Sequence, residues 1–130
     1  MIPKALLAAV VLATVIRGFF GARIRVTNKL ELEMAVIVHC ASKDDDLRGQ
    51  LLDFNATYEW RFERNFFGGT VFWCNLAFRD NRLSFTAYDQ DNLSYILDYD
   101  VSSDGVSGED IRTSGRQVHV CSWNRKVVAN

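Results

Sequence analysis

The sequence predicts an all-β fold: a small antiparallel β-sandwich of seven to eight strands, preceded by a cleaved signal peptide at residues 1–22. Three observations predict it. After Ala22 nearly every segment alternates apolar and polar residues with period two, the pattern of half-buried antiparallel strands. No segment beyond the leader carries a helical period. The connections between alternating runs are rich in Gly, Asn, Asp and Ser, which suit turns. At 130 residues, 48% hydrophobic and 12% aromatic, the chain can build one core and has no room for a second.

The leader comes first. Met1-Ile2-Pro3-Lys4 is a short positive start, Ala5–Ile16 is an aliphatic run, and Arg17 ends it. A spanning helix needs about 20 apolar residues, so this shorter run fits a secretory signal peptide. Ala22 suits the last leader position although Phe20 is bulky, and Gly18 is the other option. The domain then covers 23–130. Loss of the leader removes Lys4 and Arg17 and leaves 13 basic against 16 acidic residues, a net charge near −3. That balance gives no electrostatic reason to bind nucleic acid or an anionic membrane.

The strands follow in order. Arg23–Asn28 places Ile24 and Val26 on one face, and Met34–Cys40 aligns Met34, Val36, Val38 and Cys40. A weak pattern lies around Gln50–Leu52. Thr57–Glu63 is the cleanest, with Tyr58, Trp60 and Phe62 inward and Glu59, Arg61 and Glu63 outward. Thr70–Phe78 aligns Phe72, Cys74, Leu76 and Phe78; Arg82–Tyr88 aligns Leu83, Phe85 and Ala87. Leu93–Val101 aligns Leu93, Tyr95, Leu97, Tyr99 and Val101, and Gln117–Trp123 offers Val118 and Val120. Between the last two, Gly105–Gly115 reads as the most loop-like part of the domain.

Secretion places the three cysteines in an oxidising compartment that favours disulfides. Cys40 and Cys74 lie on the apolar sides of their strands and are the favoured pair, closing a loop of about 35 residues worth roughly 4 kcal/mol in the chain-entropy estimate. Cys121 shares a face with His119 and Trp123 and reads as the odd, possible intermolecular thiol of an otherwise monomeric protein. Alternation alone leaves Cys40–Cys121 and Cys74–Cys121 open.

An ordered set of motifs resembles the plant self-incompatibility protein S1 family, the secreted S-protein homologues. It runs from Val26-Thr27-Asn28-Lys29-Leu30 to Val38-His39-Cys40-Ala41-Ser42-Lys43-Asp44-Asp45-Asp46-Leu47. Tyr58-Glu59-Trp60-Arg61-Phe62, Asn65-Phe66-Phe67-Gly68 and Thr70-Val71-Phe72-Trp73-Cys74 follow, then Tyr88-Asp89 and Asp104-Gly105. The resemblance implies a small secreted β-sandwich that acts as an extracellular ligand of a cell-surface receptor protein. Two departures stand out. Arg48 occupies the position after Asp-Asp-Asp-Leu where the family usually has Gly. The family usually carries four cysteines, and Ser94–Tyr99, where two more belong, has none, so the second disulfide is expected to be absent or rewired.

His39, Cys40 and Asp44–Asp46 crowd together, but neighbouring strand residues face opposite ways, and three contiguous aspartates lack the alternating ligand spacing of a calcium loop. They read as a core strand running into a solvated turn, with no metal and no cofactor. Only His39 and His119 could serve as histidine bases, and no nucleophile elbow, zinc-protease motif or phosphate loop is present. The reading is therefore non-enzymatic. Asn55-Ala56-Thr57 and Asn92-Leu93-Ser94 are N-glycosylation sequons. The candidate recognition loops contain Asp44, Asp45, Asp46 and Arg48; Asp89 and Asp91; and Asp110 and Arg112. Trp73, opposite the core face, is expected either to pack under a loop, the favoured reading, or to stand as an exposed contact. In the rival reading, a carbohydrate- or small-ligand-binding module, Trp73 or Trp123 would stack on sugar; a defence or toxin-like role is the third. No stable membrane insertion of the mature chain is expected.

Overall fold

The computed structural model describes residues 21–64, 67–92, 95–113 and 115–124. These form nine strands: β1 (Gly21–Asn28), β2 (Val36–Ser42), β3 (Asp46–Leu52), β4 (Thr57–Glu63), β5 (Val71–Phe78), β6 (Asn81–Asp89), β7 (Ile96–Ser102), β8 (Gly105–Asp110) and β9 (Gln117–Cys121). They build a five-stranded sheet of order β4-β1-β7-β8-β9 and a four-stranded sheet of order β3-β2-β5-β6. The two pack face to face as a sandwich. Inward residues of each strand supply the core, among them Ile24, Val26, Val38, Cys40, Phe72, Leu83 and Val101. Aromatic rings bridge the sheets: Trp60 and Phe62 of β4 meet Phe72 of β5, and Phe85 of β6 lies 4.9 Å from Tyr99 of β7. The Tyr99 hydroxyl donates across the layer to the Ala87 carbonyl at 2.6 Å.

The strand count exceeds the expected seven to eight for two reasons. The weak Gln50–Leu52 pattern is the end of a full strand, β3. Gly105–Asp110, expected as loop, is β8, hydrogen-bonded on both sides by β7 and β9. Its glycines obscured it. A Cβ at Gly108 would collide with Ile96 Cγ2, and Gly105 has φ +127° where the chain crosses Cys121 and Ser122. The sheets are also not wholly antiparallel, because β1 and β7 pair in parallel.

β9 corrects the expected orientation. A register shift between Val106 and Ser107 resets the alternation. Val118 is therefore exposed, while both Val120 and Cys121 pack partly against the core. Beyond it Trp123 is buried, edge-on to Phe78, and donates its indole N–H to the Ser102 carbonyl at 2.7 Å. It offers no surface to a sugar.

Residues 1–20, most of the expected leader, lie outside the described residues. β1 begins at Gly21 and pairs Gly21 with Glu63 and Ala22 with Phe62. Cleavage after Ala22 would strip two paired residues from this strand; cleavage after Gly18 would leave it whole.

Candidate functional site

The strand directions bring four connections to one end of the sandwich. Ser42 at the end of β2 pairs with Phe72 at the start of β5, and Val71 pairs with Asp89 at the end of β6. In the other sheet Gly21 meets Glu63, and Ile96 meets Asp110. The β2–β3 turn and the β4–β5, β6–β7 and β8–β9 connections therefore share this end. All three predicted recognition segments lie on it.

Local chemistry shapes each connection. The Ser42 N–H donates to the Asp45 carbonyl at 2.7 Å and the Asp45 N–H to Ser42 Oγ at 3.1 Å, closing the turn that leaves Asp44 and Asp45 exposed. Asp46 has already entered β3. Its Oδ1 lies 2.6 Å from His39 Nε2 and accepts the Arg48 N–H at 2.8 Å. The hydrogen bond with His39, then that from Arg48, holds its carboxyl below the ordinary aspartate value. Arg48 has φ +62° and sits on the edge strand, behind the turn.

The β6–β7 connection joins its neighbours. Asp89 accepts from the backbone N–H groups of Asp91 and Asn92 and from the Asn92 side chain, at 3.2, 3.3 and 2.6 Å. Asp91 Oδ1 takes the Gly69 N–H of the β4–β5 connection at 3.0 Å, and the Gln90 N–H reaches the Thr70 carbonyl at 2.9 Å. On the other side the Ile111 N–H donates to the Tyr95 carbonyl at 3.0 Å. The Arg112 guanidinium lies 3.8 Å from the Tyr95 ring centroid. Arg112 also grips Asp110 through Nε and Nη2, at 3.0 and 2.7 Å. These bonds hold the Asp110 carboxyl below its ordinary value and raise the Arg112 guanidinium. Asp110, expected as a contact, is buried and spent on Arg112, which is the exposed partner.

A cleft of about 300 Å³ opens between the β2–β3 turn and the β4–β5 connection, with Lys43, Asp44, Asp45, Arg61, Phe62 and Glu63 among its walls. Among the described residues, two exposed apolar side chains crown this end: Phe67 at 97% and Ile111 at 61% exposure. Neither stood out in the sequence. Phe67 sat in the Asn65-Phe66-Phe67-Gly68 motif between two alternating strands, and Ile111 in a polar loop with no alternation to contradict.

Other predicted residues fall elsewhere. Asn55 is exposed at the opposite end between β3 and β4, while Asn92 lies on the recognition end; Ser94 of its sequon is outside the described residues. Cys40 and Cys74 face each other across β2 and β5 and form the disulfide in the core. Cys121 is a free thiol, so the family's second bridge is absent. The His119 ring lies 2.8 Å from Ser122 Oγ rather than on Cys121, whose sulfur approaches the Ser84 carbonyl at 3.6 Å. Trp73 stands 42% exposed on the outer sheet face, the less favoured of its two expected placements. Among the described residues, no His, Cys, Asp and Glu group of three or more is arranged to hold a metal, and no helix is long and apolar enough to cross a membrane.

Fold and site together define a small β-sandwich, stapled by one disulfide, that displays interlocked loops at one end. The family model for plant self-incompatibility protein S1 matches residues 23–125, and the chain belongs to that family. It is 28% identical over 100 residues to self-incompatibility protein S1 of Papaver rhoeas, covering 72% of each chain. It is 32% identical over 65 residues to S-protein homolog 2 of Arabidopsis thaliana, covering 50% of this chain and 40% of that protein. With S-protein homolog 3 of the same plant it is 32% identical over 68 residues, 52% of this chain and 45% of the relative. The chain thus spans less than half the length of these two homologues. No solved structure matches.

Proposed function

We propose that this protein is a secreted extracellular ligand in plant cell–cell recognition, read by a cell-surface receptor protein through the loop end of the sandwich. The observation that carries the reading is the interlocking of three connections by Asp91–Gly69, Gln90–Thr70 and Arg112–Tyr95 contacts. Loops tied to each other and to a rigid scaffold lose little entropy on binding. The same end also carries exposed Asp44, Asp45 and Arg112 and exposed Phe67 and Ile111, the charged and apolar side chains that an interface combines. Family membership and the leader-like N-terminus support secretion. The mechanism is surface recognition by a monomer, with no bond made or broken and no cofactor. Nucleic acid and membrane are not partners in this reading.

The test is binding of the labelled, secreted protein to plant cells. Saturable binding lost on protease treatment of the cells, and weakened at least tenfold by Asp44→Lys/Asp45→Lys, is expected. Retention of the full-length chain inside the cell, or binding indifferent to that pair of exposed substitutions, would overturn it.

A further inference from the structure

We propose that the outer face of the four-stranded sheet binds a neutral oligosaccharide on a platform centred on Trp73, on the sheet face adjoining the β2–β3 turn. Trp73 lies on inner strand β5 and is 42% exposed, whereas Trp60 and Trp123 are buried. Its cross-strand partners are Ala41 on β2 and Thr86 on β6. Two residues along β5, Asn75 is flanked by His39 and Ser84. Strand geometry puts these neighbours roughly 5 Å away across the sheet and about 7 Å along it. The indole is therefore a large flat surface among short side chains.

The chemistry of this ring selects the ligand class. Ser84 Oγ donates to Asn75 Oδ1 at 2.6 Å, which orients the Asn75 amide and leaves its Nδ2 without a partner among the described residues. Thr86 adds an exposed hydroxyl. His39 is held by Asp46 at 2.6 Å, so an exposed carboxylate at the platform's edge can accept from a ligand hydroxyl. No lysine or arginine stands among Trp73's cross-strand neighbours or theirs along Asn75, so nothing there would hold an anionic group. A sugar ring has an apolar C–H face bordered by hydroxyls. It matches an aromatic face bordered by neutral donors and acceptors, the composition by which ligand sites combine apolar area with a few placed polar groups. The open, flat face suits a chain of sugars lying across strands better than a compact molecule needing walls.

The intact secreted protein would be titrated with cellohexaose, xylohexaose, β-1,3-glucohexaose and mannohexaose, followed by tryptophan fluorescence and calorimetry. Saturable binding to at least one is expected, with a fluorescence change, since Trp73 is the exposed indole. Trp73→Ala should raise the Kd at least tenfold and Asn75→Ala several-fold, with thermal melts close to the parent because both side chains are exposed. Asp44→Lys/Asp45→Lys should leave sugar binding unchanged, which separates this site from receptor recognition. The proposal is overturned if no hexaose binds at millimolar concentration, or if Trp73→Ala binds as the parent does. Sugar binding lost only in the loop variant would overturn it as well.

Discussion

Asn28, with no exposed surface, donates its side-chain amide to the Leu52 carbonyl at 2.9 Å and so ties β1 of one sheet to β3 of the other. The same amide reaches the Met34 carbonyl at 2.7 Å, and Oδ1 accepts the Leu30 N–H at 2.9 Å. Its backbone pairs with Ala56 and Asn55. One asparagine thus fixes the β1–β2 and β3–β4 connections, at the end opposite the recognition loops.

Asn28→Ala strands the buried Leu30 N–H and Leu52 carbonyl and the part-buried Met34 carbonyl, a buried group costing about 1–3 kcal/mol if unsatisfied. Relaxation and water entry recover part of this, and a loss of about 3 kcal/mol is expected in guanidinium denaturation at neutral pH. Asn28→Asp should not rescue it, because a carboxylate cannot donate to Met34 or Leu52. A loss under ~1 kcal/mol in the alanine variant would show that the network is not what holds this end.

The cysteines divide into a structural pair and a bystander. Replacing Cys40 and Cys74 by alanine opens a bridge of sequence separation 34 and should cost about 2–5 kcal/mol. Cys121→Ser should change stability by less than ~1 kcal/mol, since that thiol is half-buried and unbridged. Peptide mapping without reduction checks the assignment directly: one linked Cys40–Cys74 peptide, and Cys121 open to alkylation.

Acid should weaken the fold through two carboxylates. Asp46 and Asp110 both have folded values below the ordinary aspartate value of 3.8. The folded state therefore releases their protons more readily than the unfolded chain does. Their contribution is fully present above the unfolded value and is lost as pH falls below about 4, through the lowered folded values. In a pH series of denaturation midpoints, Asp46→Asn and Asp110→Asn should each flatten the decline below pH 4 and leave the curve near neutrality parallel to the parent. An unaltered acid limb in both variants would rule out these two groups as its source.

Alternation revealed the sandwich wherever one sheet face meets the core and the other meets water, as in β4, whose bounds were legible to the residue. It failed where local backbone demands outweigh patterning. β8 needs Gly105 and Gly108 for close approach to Cys121 and Ile96, and glycine erases the periodic signal. In β9 a register shift broke the alternation, turning Val118 outward and bringing both Val120 and Cys121 against the core. At the recognition end, the aspartates were visible as types but not as roles. Asp110 and Asp46 are bound by neighbours two residues on or across a strand, whereas Asp44 and Asp45 remain exposed. Phe67 and Ile111 were invisible because exposure in a loop depends on what fails to cover it.

Arg48 shows a physical reason for one departure from the family pattern. It stands where the resemblance leads one to expect glycine, and its φ is +62°, the left-handed region. The Asp46 carboxylate holds that conformation by accepting the Arg48 N–H at 2.8 Å. A side chain in this region costs roughly 1–2 kcal/mol, while glycine gives back about 0.5–1 kcal/mol through its greater freedom when unfolded. Arg48→Gly should therefore stabilise the protein by a few tenths to about 1 kcal/mol, and Arg48→Ala, which keeps the Cβ, should not. The Arg48 side chain is exposed and makes no ion pair among the described residues, so its loss brings little penalty of its own. Paired thermal and denaturant melts of the two variants decide the matter. Equal stability of the glycine and alanine forms would mean that the left-handed turn carries no cost at this position.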